Sequence, residues 1–171
     1  MLKFQEVNFP GFRNLKNGEL KEVYYIYNMT AKIIKLFLRL AIATAFLSAV
    51  ADRLGMWRPE ISAWGDWNSF LEYTAVLNPW FPASTIPALA VLATTAEIVF
   101  ALCLLIGLKT ELFARLSGYL LLLFALSMTF STGIKGAFDY SVYTAAAAAF
   151  ALSLLKEKFL EIDCLISDRN P

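Results

Sequence analysis

Residues 86–108 read IPALAVLATTAEIVFALCLLIGL, and these 23 residues carry a single charge, Glu97. A helix rises about 1.5 Å per residue, so about 20 apolar residues cross a hydrocarbon core about 30 Å thick. In lipid the backbone N–H and C=O groups must be paired within the segment, which makes such a block a helix. Glu97 lies eleven residues in, near the middle of the span. A charge at that depth costs at least about 2.5–3.5 kcal/mol, so it must be neutral, paired or facing a wet cavity. Ala90, Ala93, Thr94 and Ala101 share its helix face. Small residues let helix backbones approach, so Glu97 is expected to face neighbouring helices rather than lipid.

Three further blocks have the same character: Ile33–Ala51, Leu112–Phe130 and Ala137–Leu155. The expected fold is an all-α integral membrane four-helix bundle, with spans at about 33–51, 86–108, 112–130 and 137–155. Residues 1–32 are expected as a cytoplasmic N-terminal segment and 156–171 as a tail that reads as a cytoplasmic interfacial helix from Lys156 onward. The first block follows 32 mostly polar residues, too late for the apolar region of a cleavable signal.

Composition agrees: 58% of the 171 residues are hydrophobic and 17% charged, against about 45–50% and about 25% in ordinary globular domains. Net charge is +1, which offers no electrostatic footprint for nucleic acid. Histidine is absent. Haem sites needing axial histidine, His-bearing zinc sites and Ser–His nucleophiles are therefore excluded within this chain. No metal site is expected. Cys103 sits in an apolar block and Cys164 in the polar tail, so no disulfide framework is expected. The phosphate-binding and zinc-protease motifs are missing. An autonomous enzyme is not expected.

Lysine and arginine set the orientation. Lys3, Arg13, Lys16, Lys21 and Lys32 precede the first span, Lys109 lies between the second and third, and Lys156, Lys158 and Arg169 follow the fourth. The loop 52–85 has only Arg53 and Arg58 against four acids. Both termini are expected in the cytoplasm of a bacterial-type inner membrane, with the long loop outside.

That loop holds all four tryptophans, Trp57, Trp64, Trp67 and Trp80. Trp67, Phe70, Leu71 and Thr74 recur at helical spacing, so a short interfacial helix is expected over about 66–77, stopped by Asn78-Pro79. The aromatics are either headgroup anchors or a lid over a cavity, with Trp64, Trp67 and Trp80 as its candidate residues. Arg39 is the candidate partner of Glu97, although Lys32, Lys35 and Arg39 also share one face that can snorkel to headgroups. Asp52, Arg53, Lys135 and Asp139 are expected at one depth, near Tyr143, as a rim network. Ala41, Ala45 and Ala49 form a small-residue ladder, expected as a packing face.

The run Leu38-Arg39-Leu40, then Phe46 to Arg53, resembles the first span of DoxX-like membrane proteins. So do Trp64-Gly65, Phe70, Tyr73 and Asn78-Pro79 in the loop. The stretch from Ala93-Thr94 through Glu97 to Thr110, then Phe124-Ala125-Leu126, Gly133-Ile134-Lys135 and Asp139-Tyr140-Ser141-Val142, is similar to the later part of that family. The resemblance covers about residues 33–155. It implies a four-helix inner-membrane protein, partnered by a quinone-linked oxidoreductase or a redox-defence protein. It also implies roles for Arg39 and Glu97 inside the membrane, and for Asp52, Arg53 and Asp139 at the rim. The leading expectation is a redox-associated auxiliary subunit with no intrinsic cofactor. It would bind a quinone or another lipid within the bundle, among membrane lipids and as a possible homo-oligomer. A proton-coupled transporter, an enzyme acting on a lipophilic substrate, and a structural assembly protein are the alternatives.

Overall fold

The computed structural model describes residues 17–167, with side chains over 19–164. Lys3, Arg13, Lys16 and Arg169, which contribute to the expected orientation, lie outside the described residues. Every regular element described is helical.

Helix α1 runs without interruption over Asn17–Arg53. It begins well before its apolar block because residues 17–32 are good enough helix formers and contain neither glycine beyond Gly18 nor proline. Helix α2, Trp67–Leu77, starts at Asp66, whose side chain accepts from the Ser69 N–H. This bond satisfies one of the unpaired donors of the first turn. A 3-10 turn, Ala83–Thr85, leads into α3, Ile86–Ile106, with Pro87 in the first turn, where its missing N–H costs nothing. Gly107 ends α3 in the left-handed region at φ 71°, and its N–H reaches back to Cys103 and Leu104. Helix α4 spans Thr110–Ser131.

The fourth apolar block differs from the expected single span over 137–155. It is divided into α5, Ile134–Asp139, and α6, Val142–Leu154. Ser141 adopts φ 55° at the break, and its N–H turns back to Phe138 instead of continuing the ladder. At 13 residues α6 is about 20 Å long, shorter than a hydrocarbon core. Among the described residues three helices are long and apolar enough to cross a membrane: Glu19–Arg53, Ala83–Ile106 and Thr110–Ser131. This is compatible with an integral membrane protein.

Helix α1 packs on α3, α3 on α4, α4 on α6 and α6 on α1, while α2 rests on α3 and α4. The shared core gathers Ile42, Ala43, Phe46, Ala101, Leu104, Ala114, Ala149 and Leu152. Half of these are alanines, which let helix axes come close. Helices α4 and α6 are tightly apposed at Gly118, where a Cβ would lie 2.8 Å from the Phe150 ring. Ala41 and Ala45, expected to pack, are exposed. The residues of α1 that do pack are Ile42, Ala43, Phe46 and Val50.

The tail is also not the continuous interfacial helix expected from Lys156 onward. Helix α7, Ile162–Ser167, begins only after a non-helical stretch over 155–161.

Candidate functional site

Glu97 is 2% exposed and lies on the α3 face formed by Ala90, Thr94 and Ala101, all buried. Its partner is Arg53, at the end of α1. Arg53 Nη2 donates to Oε1 at 3.0 Å, and Nη1 donates to Oε2 and to Thr94 Oγ1, the latter at 2.9 Å. This two-pronged geometry is the strong form of a guanidinium–carboxylate contact. Arg53 is itself 4% exposed.

The aromatic loop roofs this pair. The Arg53 guanidinium carbon lies 4.0 Å from the centre of the Phe70 ring and 5.2 Å from that of Trp64. Both distances suit attraction between a cation and a ring face. Trp64 meets Phe70 edge-on at 5.4 Å and Tyr73 at 6.0 Å, and Trp67 meets Phe70 at 5.5 Å. Burial pushes the Tyr73 phenol above its ordinary value. Trp64 and Trp67 thus belong to one cluster over the ion pair. Trp80 is 52% exposed and stands apart from it.

Asp52, next in the chain to Arg53, fastens the loop. Its carboxylate accepts from the Ser62 hydroxyl and from the N–H groups of Ala63 and Trp64, at 3.0 and 3.1 Å. The rim network expected from Asp52, Arg53, Lys135 and Asp139 is not formed. Lys135 and Asp139 pair with each other on an exposed turn of α5. Tyr143 lies apart as well, sharing a 2.9 Å hydrogen bond with Thr129 Oγ1.

Arg39 does not meet Glu97. Its Nε donates to the Leu104 carbonyl at 2.9 Å and its Nη2 to that of Leu105 at 3.1 Å, at the other end of α3. The reason lies in side-chain direction. In an α-helix each Cα–Cβ bond tilts toward the helix N-terminus. Helices α1 and α3 run in opposite senses, so Arg53 and Glu97 lean toward each other while Arg39 leans away. Depth counted from the expected cytoplasmic side of each span, six residues to Arg39 and eleven to Glu97, makes Arg39 look within reach. Tilt, applied to both ends of α1, is the sequence signal that singles out Arg53.

Arg39 instead joins Lys35 and Glu161, all buried. Lys35 Nζ lies 2.8 Å from Glu161 Oε1, and Arg39 Nη1 lies 3.7 Å from it. Arg39 thus adds to the capping of the last turn of α3, taking the Leu105 carbonyl and sharing that of Leu104 with the Gly107 N–H.

A groove runs along the flank of α1 under Trp57, whose Nε1 donates to the Ser48 carbonyl at 3.1 Å. Its upper part, about 500 Å³, is lined by Ala45, Ser48, Ala49, Trp57, Ile61 and Ala63 with Asp52 at its edge. Its lower part, about 710 Å³, continues past Thr44 to Ala41. The exposed alanine ladder of α1 is the floor of this groove.

No family model matches the chain, and no curated protein and no solved structure is found to be similar to it.

Proposed function

We propose that the chain is a four-span integral membrane protein of the DoxX-like kind, with both termini in the cytoplasm of a bacterial-type inner membrane. In this reading α5 and α6 together make the fourth crossing. It serves as an auxiliary subunit that takes a flat lipophilic molecule of the quinone type, and electron transfer belongs to that molecule or to a partner oxidoreductase.

The observation that carries this reading is the flank groove under Trp57. Each of its two parts, taken alone, falls within the range of about 300–1,000 Å³ usual for small-molecule sites. An indole wall, an alanine floor and the Ser48 hydroxyl suit a ring with polar edges, and the groove opens sideways, the direction from which a membrane-dissolved molecule arrives. The interior is less suited. Both oxygens of Glu97 are held by Arg53, so a ligand there would have to break a buried ion pair. The proposed ligand site therefore lies on the flank, where the sequence alone suggests the interior of the bundle. The same alanine ladder favours a second reading, a partner helix seated against α1, because small residues permit close helix approach.

The test is photolabelling of the protein in mild detergent with a photoreactive quinone analogue, followed by peptide mapping and native mass spectrometry of co-purifying molecules. Labelling of 41–63 that Ala45→Phe abolishes supports the quinone reading. Labelling elsewhere, or labelling indifferent to Ala45→Phe, sinks it. Cross-linking of α1 to a protein helix would replace it with the second reading.

A further inference from the structure

Residues 155–163 close one end of the helix assembly as a strap. Its carbonyls are taken by two side chains of α1. Lys35 Nζ donates to Glu157 O at 2.7 Å, and Arg39 Nη1 donates to Phe159 O and Leu160 O at 3.0 Å each. Asp163 accepts from the first amides of α4, those of Lys109 and Thr110, at 2.9 and 3.2 Å. Lys156 pairs with Glu111 at the surface.

Three features make this closed strap a poised state. Leu160, whose carbonyl Arg39 holds, sits at φ 49°, a left-handed conformation that a Cβ disfavours. Its side chain is 67% exposed, so no packing of its own fixes it there. The charges are also unevenly met. Among the described residues Glu161 is the one carboxylate within 4 Å of Lys35 or Arg39, and its Oε1 makes no well-directed hydrogen bond. Asp163 acts on Arg39 only from beyond that distance, and its oxygens are held by the α4 amides. Neutral carbonyls satisfy donors without neutralising two buried cations. Finally, Lys35 and Arg39 stand one turn apart on one face with Lys32, an arrangement that matches the several acceptor oxygens and negative charge of a phosphate.

We propose that residues 155–163 are a releasable strap, and that the Lys35–Arg39 slot beneath it takes an anionic phosphate group, from a phospholipid headgroup or from solution, when the strap lifts. The strap's carbonyls and Glu161 occupy in the closed state the positions that phosphate oxygens take in the open one. A phosphate shifts the balance by its preference for the open state. The proposal rests on the membrane placement proposed for the chain but not on the groove ligand, so each fails independently.

The experiment is hydrogen exchange of the full chain in dodecyl maltoside micelles, read at the amides of Lys109, Thr110 and Asp163. Their acceptors are lost when the strap lifts. Phosphatidylglycerol is added in one arm, inorganic phosphate in a second, and sodium chloride of equal ionic strength in a third. Acceleration of about tenfold by phosphatidylglycerol assigns the slot to a headgroup, and the same acceleration by inorganic phosphate assigns it to a soluble ligand. No acceleration in either arm, or equal acceleration by chloride, overturns the proposal. Leu160→Gly, at an exposed position, removes the conformational penalty of the closed strap and should reduce the response several-fold. An undiminished response in Leu160→Gly would refute the poised state.

Discussion

Removing the Glu97 carboxylate should destabilise the protein more than any other single side-chain change at the loop end of the assembly. In Glu97→Ala, Arg53 stays buried and keeps only the Thr94 hydroxyl and the two ring faces. Its Nε has no hydrogen-bond partner among the described residues even in the intact protein. Breaking one side of a buried pair costs about 3–5 kcal/mol, because the remaining charge is left uncompensated. Glu97→Gln retains an acceptor but loses the charge, and is expected to cost about 1.5–3 kcal/mol, the range of a charge-assisted hydrogen bond. Arg53→Met with Glu97→Leu removes both charges and should be near neutral, since apolar replacements of a buried pair are often tolerated. The assay is reversible unfolding from mixed micelles by increasing denaturing detergent, followed by tryptophan fluorescence and analysed as a double-mutant cycle. A coupling of about 2 kcal/mol or more is expected. Additive single changes, each below about 1 kcal/mol, would show that Arg53 and Glu97 do not pair and that the carboxylate is held in the membrane by something else.

Three other outcomes follow from the same geometry. Gly118→Ala places a methyl against the Phe150 ring and should cost about 1–3 kcal/mol in the same assay, part of which Phe150→Leu restores. In Gly107→Ala a Cβ falls 2.6 Å from the Glu161 Cα, at a backbone φ of +71°. The strap should then be displaced, with faster exchange at the Lys109 and Thr110 amides. The Ser69 amide holds the Asp66 carboxyl below the usual carboxylate range. A depressed value in the folded state stabilises α2 above the unfolded value of about 3.9, and that contribution is lost as pH falls through the folded one. The protection factor of the Ser69 amide should therefore drop below about pH 4, and in Asp66→Asn it should show no such pH dependence.

Much of the helical skeleton is legible in the sequence because apolar block length and charge placement are one-dimensional signals. Block length places helix α3 within two residues of its end, and Ala90, Thr94 and Ala101 mark Glu97 as facing other helices. The start of α2 is legible from aromatic spacing and a capping aspartate. The break at Ser141 is not, because Asp139, Tyr140 and Ser141 stand ahead of the alanine run, where polar residues suit the first turn of one continuous helix as well as a break between two. The partner of Glu97 escapes a reading by depth for a different reason. Depth is counted along each helix, while the contact is decided by which way the side chains lean between antiparallel neighbours. The strap is illegible because its backbone is held by side chains more than a hundred residues earlier, a contact that no local pattern encodes.

Asp52 and Arg53 are consecutive residues with separate duties. One grips the backbone of the aromatic loop at Ala63 and Trp64, and the other grips α3 through Glu97. Neighbouring positions on a helix differ by about 100° in direction, so the last turn of α1 works as a crank between two arms. The loop and the centre of α3 are thereby fastened to the same turn of α1 through two adjacent side chains, and the aromatic roof lies on the guanidinium that makes the second of these contacts.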